Sequence, residues 1–172
     1  MAQSSALPIA YVFLRILIVL NWILGACILA LLAYTFFNEQ WTMKALGVSG
    51  YPDARTVMAA MRMVAALGIA AIPLNHAMFK RLLAIVETVK LGDPFVAANA
   101  YRLNAIAWIL LALQLISMTI GGIGKAISTL EHPFNLDAGF SPMGWLAVLM
   151  AFILARVFAE GTLMREDLEG TI

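Results

Sequence analysis

The sequence predicts an all-α fold: a four-helix transmembrane bundle in which the second and third spans continue into a cytoplasmic helical hairpin. Composition, run length and charge placement carry that reading. Of the 172 residues, 63% are hydrophobic and 12% are charged. Mean hydropathy is +0.91. A soluble domain holds roughly 45–50% apolar and about 25% charged residues, so water could not solvate this chain. Four apolar runs approach or exceed the roughly 20 residues that a spanning helix needs. The formal net charge of +1 offers no clustered basic face for nucleic acid.

Span one covers about residues 11–37, interrupted by Arg15 and Asn21. No Lys or Arg precedes it, so it reads as a retained span rather than a cleaved signal, which carries a basic n-region. Span two covers about 56–79, with Arg62 near one end and Pro73 near the other; spans three and four cover about 104–120 and 143–158. Together they make a single four-span domain over residues 1–172. Trp22, Trp41, Trp108 and Trp145 fall at or near span ends, where amphipathic rings favour the headgroup zone. Ala59, Ala60, Ala65, Ala66, Gly68, Ala70 and Ala71 crowd span two, a composition that lets helix backbones approach closely. The single cysteine, Cys27, reads as an inert packing residue.

Lys80, Arg81, Lys90 and Arg102 all lie between spans two and three. Positive-inside bias puts that segment in the cytoplasm, and both termini follow. The segment 80–103 reads as a hairpin. Gly92 suits the residue that ends a helix, Asp93 an N-cap, and Pro94 the first helical position. Such a hairpin serves either as a docking surface for a cytoplasmic partner or as an interfacial element resting its apolar face on lipid. Asp93, Asn99 and Arg102 are the candidate partner-binding residues on it. Glu166 and Asp167 are the candidates on the acidic tail, about 159–172.

Arg15, Asn21, Arg156 and Glu160, with Asn75, His76 and Arg102, form a candidate polar cluster at the cytoplasmic mouth. Arg156 and Glu160 stand four apart on one helical face, whereas Arg15 and Arg62 can snorkel to water. Gln114, Ser117 and Thr119 read as interhelical hydrogen bonds. Gly121-Gly122-Ile123-Gly124 reads as a helix end and turn. The two outer loops, 38–55 and 121–142, are apolar enough to fold as short elements. Glu131, His132 and Asp137 are too loosely spaced for a metal site. No nucleophile with its base and no phosphate loop is present. The expectation is a non-enzymatic protein with no cofactor and no metal.

Three stretches resemble the DUF2975 family of bacterial membrane proteins. They are Leu14-Arg15 to Asn21-Trp22, then Gly92-Asp93-Pro94-Phe95 with Asn99 and Arg102-Leu103, and finally Arg156-Val157-Phe158 through Glu160-Gly161 to Glu169-Gly170-Thr171-Ile172. The resemblance implies a small four-span protein of uncharacterised function, whose members often look like partners of small helix-turn-helix regulators encoded beside them. It supplies no catalytic or ligand residues. The partners expected are therefore the lipid bilayer and either a cytoplasmic regulator or other subunits of a larger membrane complex. Binding of a lipid or small molecule is a further alternative.

Overall fold

The computed structural model describes residues 6–45, 47, 53–128 and 138–169. Among these the chain forms five helices and no strand: α1 (Ala6–Phe37), α2 (Glu39–Ala45), α3 (Ala54–Lys90), α4 (Ala97–Ile127) and α5 (Pro142–Glu169). All but α2 are long and apolar enough to cross a membrane. In hydrocarbon a backbone N–H or C=O finds no water, so a spanning segment must close its hydrogen bonds internally, as a helix does. At about 1.5 Å per residue, the 37 residues of α3 exceed a hydrocarbon core of about 30 Å. The helix runs without interruption from span two into the first arm of the hairpin.

Two packed units make up the chain. One draws on α1 to Asn21, α3 from Leu74, α4 to Ala112, and α5; the other on α1 from Trp22, α2, α3 to Pro73, and the chain from Leu113 to Ser141. Throughout α1 only a narrow stripe turns inward. Leu7, Tyr11, Leu14, Ile18, Asn21, Gly25, Ile28, Leu32 and Thr35 are partly covered, while Val12, Phe13, Val19, Leu20 and Leu31 are exposed. The spacing alternates four and three, the seam of a heptad packing. Cys27 lies off this seam and is exposed, so it contributes surface for lipid rather than the expected packing.

In the second unit, Arg62 closes the carboxyl end of α1. Its Nε donates to Thr35 Oγ1 at 3.1 Å and its Nη2 to the Thr35 carbonyl at 2.7 Å. The guanidinium lies 4.4 Å over the Phe36 ring, with Glu39 at 3.9 Å. A cation thus meets the orphan carbonyls and negative dipole of a helix end. This corrects the expectation that Arg62 snorkels to water. The first outer loop holds a short helix, α2, whose N-cap is Asn38: its Oδ1 accepts the Trp41 N–H at 3.2 Å.

The glycines of α4 do not end it. Gly121 and Gly124 are buried and the helix continues to Ile127. A Cβ on Gly121 would stand 2.5 Å from the Ala138 carbonyl oxygen and 2.6 Å from the Gly139 Cα. The glycine is there to admit a crossing backbone, not to turn the chain. Gly139, at φ +130, is served by the residues one and two turns back along α4. Its N–H donates to Ser117 Oγ at 3.2 Å, and Gln114 Nε2 donates to its carbonyl at 3.4 Å. Gln114 and Ser117 therefore satisfy irregular backbone rather than another helix, and Thr119 bonds the Leu115 carbonyl of its own helix at 2.9 Å.

Other expectations also shift. In span two Ala60 is buried, but Ala59, Ala66 and Ala70 are exposed and Gly68 has open space beside it. The close approach made by this region is at Gly25, whose Cβ would meet Ile72 Cγ2 at 3.0 Å. Trp22 lies near the middle of α1 rather than at its end. Trp108, near the start of span three, packs edge-on against Phe152 at 5.4 Å. Of the first outer loop, Val48 and Tyr51 lie outside the described residues, as does the Leu46 side chain. The same holds in the second for Leu130, Glu131, His132, Phe134, Leu136 and Asp137.

Replacing Gly121 by Ala should destabilise the protein by roughly 1–3 kcal/mol, as overpacking does. Gly122→Ala, with nothing within 4 Å of the new Cβ, should be neutral or stabilising. Thermal unfolding of both variants in the same detergent checks the pair. A second prediction concerns the start of α3. Asp53 accepts both the Thr56 hydroxyl and the Thr56 N–H, and these bonds hold its carboxyl below the ordinary aspartate value. A depressed folded pKa contributes stability above the unfolded pKa that is lost as pH falls through the folded one. Acidification should therefore fray the first turn of α3, and Asp53→Asn should abolish that pH dependence, read by amide exchange at residues 55–57.

Candidate functional site: the hairpin turn and its seat on α5

The α3–α4 hairpin turns where the sequence says it should. Gly92 adopts φ +84. Its N–H donates to the Val89 carbonyl at 3.0 Å, and the Asp93 N–H donates to the Thr88 carbonyl at 3.0 Å. These are the two bonds of a Schellman ending. Asp93 does not cap the following helix. Residues 93–96 are non-helical, α4 begins at Ala97, and the Asp93 carboxylate is held by Arg165 of α5.

Asn99 ties the turn together from inside. It is fully buried, at 0% exposure. Its Nδ2 donates to Thr88 Oγ1 at 2.7 Å and to the Pro94 carbonyl at 2.9 Å. Its Oδ1 accepts from Arg102 Nη1 at 2.7 Å, and the Thr88 hydroxyl in turn donates a hydrogen bond to the Ile85 carbonyl at 2.8 Å. One amide thus joins the last turn of α3, the connecting residues and the first turns of α4. A buried amide with all partners in place is rigid, and each orphaned partner costs its desolvation.

The turn then sits on α5. Phe95 packs against Phe158 with ring centroids 5.3 Å apart. A Cβ on Gly161 would come within 2.9 Å of the Phe95 ring, so glycine is what lets the ring lie against the helix backbone. With Arg165 on Asp93, the residues Phe158, Gly161 and Arg165 form one stripe at the i, i+3, i+7 spacing of a single helix face. The segment after span four is therefore a helical arm to Glu169, joined to the hairpin, and not a loosely held tail.

Beside this joint α4 and α5 leave a groove of about 520 Å³. Its lining includes Ala97, Ala100, Ala155 and Ala159, together with the polar side chains of Tyr101, Arg156 and Glu166.

The family described as "Protein of unknown function (DUF2975)" matches residues 43–172, about three quarters of the chain. The chain belongs to the DUF2975 family. No curated protein and no solved structure matches it. The Leu14-Arg15 to Asn21-Trp22 pattern precedes the matched range. The other two resembling stretches fall inside it, and they are the two that meet in space: Gly92 to Phe95 with Asn99 and Arg102 on one side, Phe158 to Arg165 on the other.

Set against the sequence reading of this DUF2975 protein, the candidate residues divide. Asn99 lies inside the hairpin, where its amide is fully engaged, so it holds the surface rather than forming it. Arg102 is half-buried through its bond to Asn99, and Asp93 is committed to Arg165. Glu166 and Asp167 are exposed on the helical arm, and Glu166 lines the groove. Arg156 pairs with Glu160 at 2.8 Å, both exposed, while Arg15 stacks 4.8 Å over the Tyr11 ring. Asn21 faces the α1 seam. The side chain of Glu169 and residues 170–172 lie outside the described residues. Phe95 and Gly161 were quoted for the resemblance without a role, and a glycine beside a phenylalanine-bearing turn was the signal that could have paired them.

Asn99→Ala should cost roughly 2–3 kcal/mol, because Thr88, the Pro94 carbonyl and Arg102 lose their partner together. Asn99→Asp, which keeps only the acceptor for Arg102, should fall between Ala and the wild type. Thermal unfolding, with amide exchange at residues 91–99 to localise the loss, measures both.

Proposed function

We propose that this is a non-enzymatic bacterial inner-membrane protein whose hairpin and α5 arm form a preformed platform for a cytoplasmic protein partner. The observation that carries the reading is the joint of Phe95, Gly161 and the Asp93–Arg165 pair, because it makes the hairpin and the helical arm one surface. A platform ordered before binding spares the partner the entropy of ordering it. Orientation rests on Lys80, Arg81, Lys90 and Arg102, whose side of the membrane is the cytoplasm under the positive-inside bias. A small helix-turn-helix regulator is the partner that the family resemblance implies.

A second reading, an accessory subunit of a larger membrane complex, draws on α1. That helix is held by one narrow seam, and Ile9, Val12, Phe13, Ile16, Val19 and Leu20 all face outward. In that reading they meet protein rather than lipid.

The two separate by purification of the tagged full chain from native membranes in mild detergent. The platform reading expects the regulator to be recovered with the wild type and reduced severalfold by Phe95→Ala combined with Asp93→Ala. Recovery of other membrane subunits alone, or of a regulator indifferent to both substitutions, would contradict it.

A further inference from the structure

We propose that the α4–α5 groove seats one amphipathic helix of a protein partner, about four turns long, with a basic residue set against Glu166. The inference rests on the platform reading and names what the platform holds. Length decides first between occupants. Along α5 the groove runs from Phe152 to Glu166, fourteen residues or about 21 Å of helix rise. Its lining comes from α4 and α5 alone. It is thus a trough open along its third side, unlike a small-molecule site, which buries most of its ligand's surface.

Position decides next. The eleven residues from Arg156 to Glu166 rise about 15 Å and include Glu160, Arg165 and Glu166, and all but the first three lie beyond the expected end of span four at 158, on the water side. An acyl chain laid in the groove would be drawn out of the bilayer. A helix would not. The lining suits it: the small side chains of Ala97, Ala100, Ala155 and Ala159 let a helix backbone come close, and Phe152 and Leu163 offer apolar contact.

Charge decides the chemistry of the occupant. Arg156 and Glu160 neutralise each other at 2.8 Å, and Arg165 is taken by Asp93. Among the described residues Glu166 makes no ion pair, so the groove carries one uncompensated negative charge at the end farthest from the spans. A lysine or arginine on the incoming helix answers it.

The test places a photoreactive benzoylphenylalanine at Leu163, exposed on the groove, in the full chain within native membranes. The proposal expects an adduct with another protein, mapped to an amphipathic helical peptide carrying a basic residue. Ala159→Trp, which fills the trough, should suppress it. Because that variant could disturb packing, exposed Glu166→Lys provides an independent arm. It should lower adduct yield about fivefold, the scale of an exposed charge pair, and replacing the mapped basic residue by Glu should restore the yield. Adducts with a second copy of the chain, adducts with lipid alone, no adduct, or no restoration would each overturn the proposal. If the partner still co-purifies with Ala159→Trp at the wild-type level, the platform reading stands and the groove seat falls.

Discussion

The whole structure answers to one constraint: in hydrocarbon, every backbone N–H and C=O must find a partner within the protein. Within a helix that is automatic. At its ends and irregular stretches it is not, and there the few polar side chains of this chain are gathered. Arg62 takes the Thr35 carbonyl near the end of α1, Gln114 and Ser117 take the backbone of Gly139, and the Asp53 carboxylate receives the Thr56 N–H in the first turn of α3. At the hairpin, which lies beyond the spans, two backbone bonds around Gly92 and the amide of Asn99 close the turn from within the protein in the same manner.

That economy explains the shape of the candidate site. Thr88, Asn99 and Arg102 are consumed in closing the turn, and Asp93 and Arg165 in fastening it to α5. What remains free for a partner is what the closure does not use: an alanine lining, the Tyr101 ring and the Glu166 carboxylate. The two stretches that carry the DUF2975 resemblance through residues 92–102 and 156–165 are the two halves of this one joint. Their separation in sequence concealed a single structural unit.

How far the sequence disclosed this depended on whether the signal was local. Gly92 was legible because a Schellman ending is written in its own turn and needs only a residue that tolerates positive φ. The four spans were legible because length and apolarity suffice. The N-cap assigned to Asp93 failed because Arg165, 72 residues away, offers a full opposite charge where the cap offers an N–H dipole. Gly121 was misread because glycine marks both a turn and a close backbone approach, and only the position of Ala138 tells them apart. The inward seam of α1 was not legible at all. Lipid is as apolar as leucine, so Leu14 facing protein and Leu20 facing lipid look alike.

The native cysteine permits the most direct test of the central claim, that lipid and not water bathes the outward face of these helices. Cys27 is the chain's single cysteine and is exposed on α1. A nitroxide attached there in lipid nanodiscs should relax strongly with dissolved oxygen, which concentrates in hydrocarbon, and scarcely with a water-soluble nickel chelate. Strong relaxation by the nickel chelate with weak response to oxygen would place that face in water and contradict the membrane-spanning bundle.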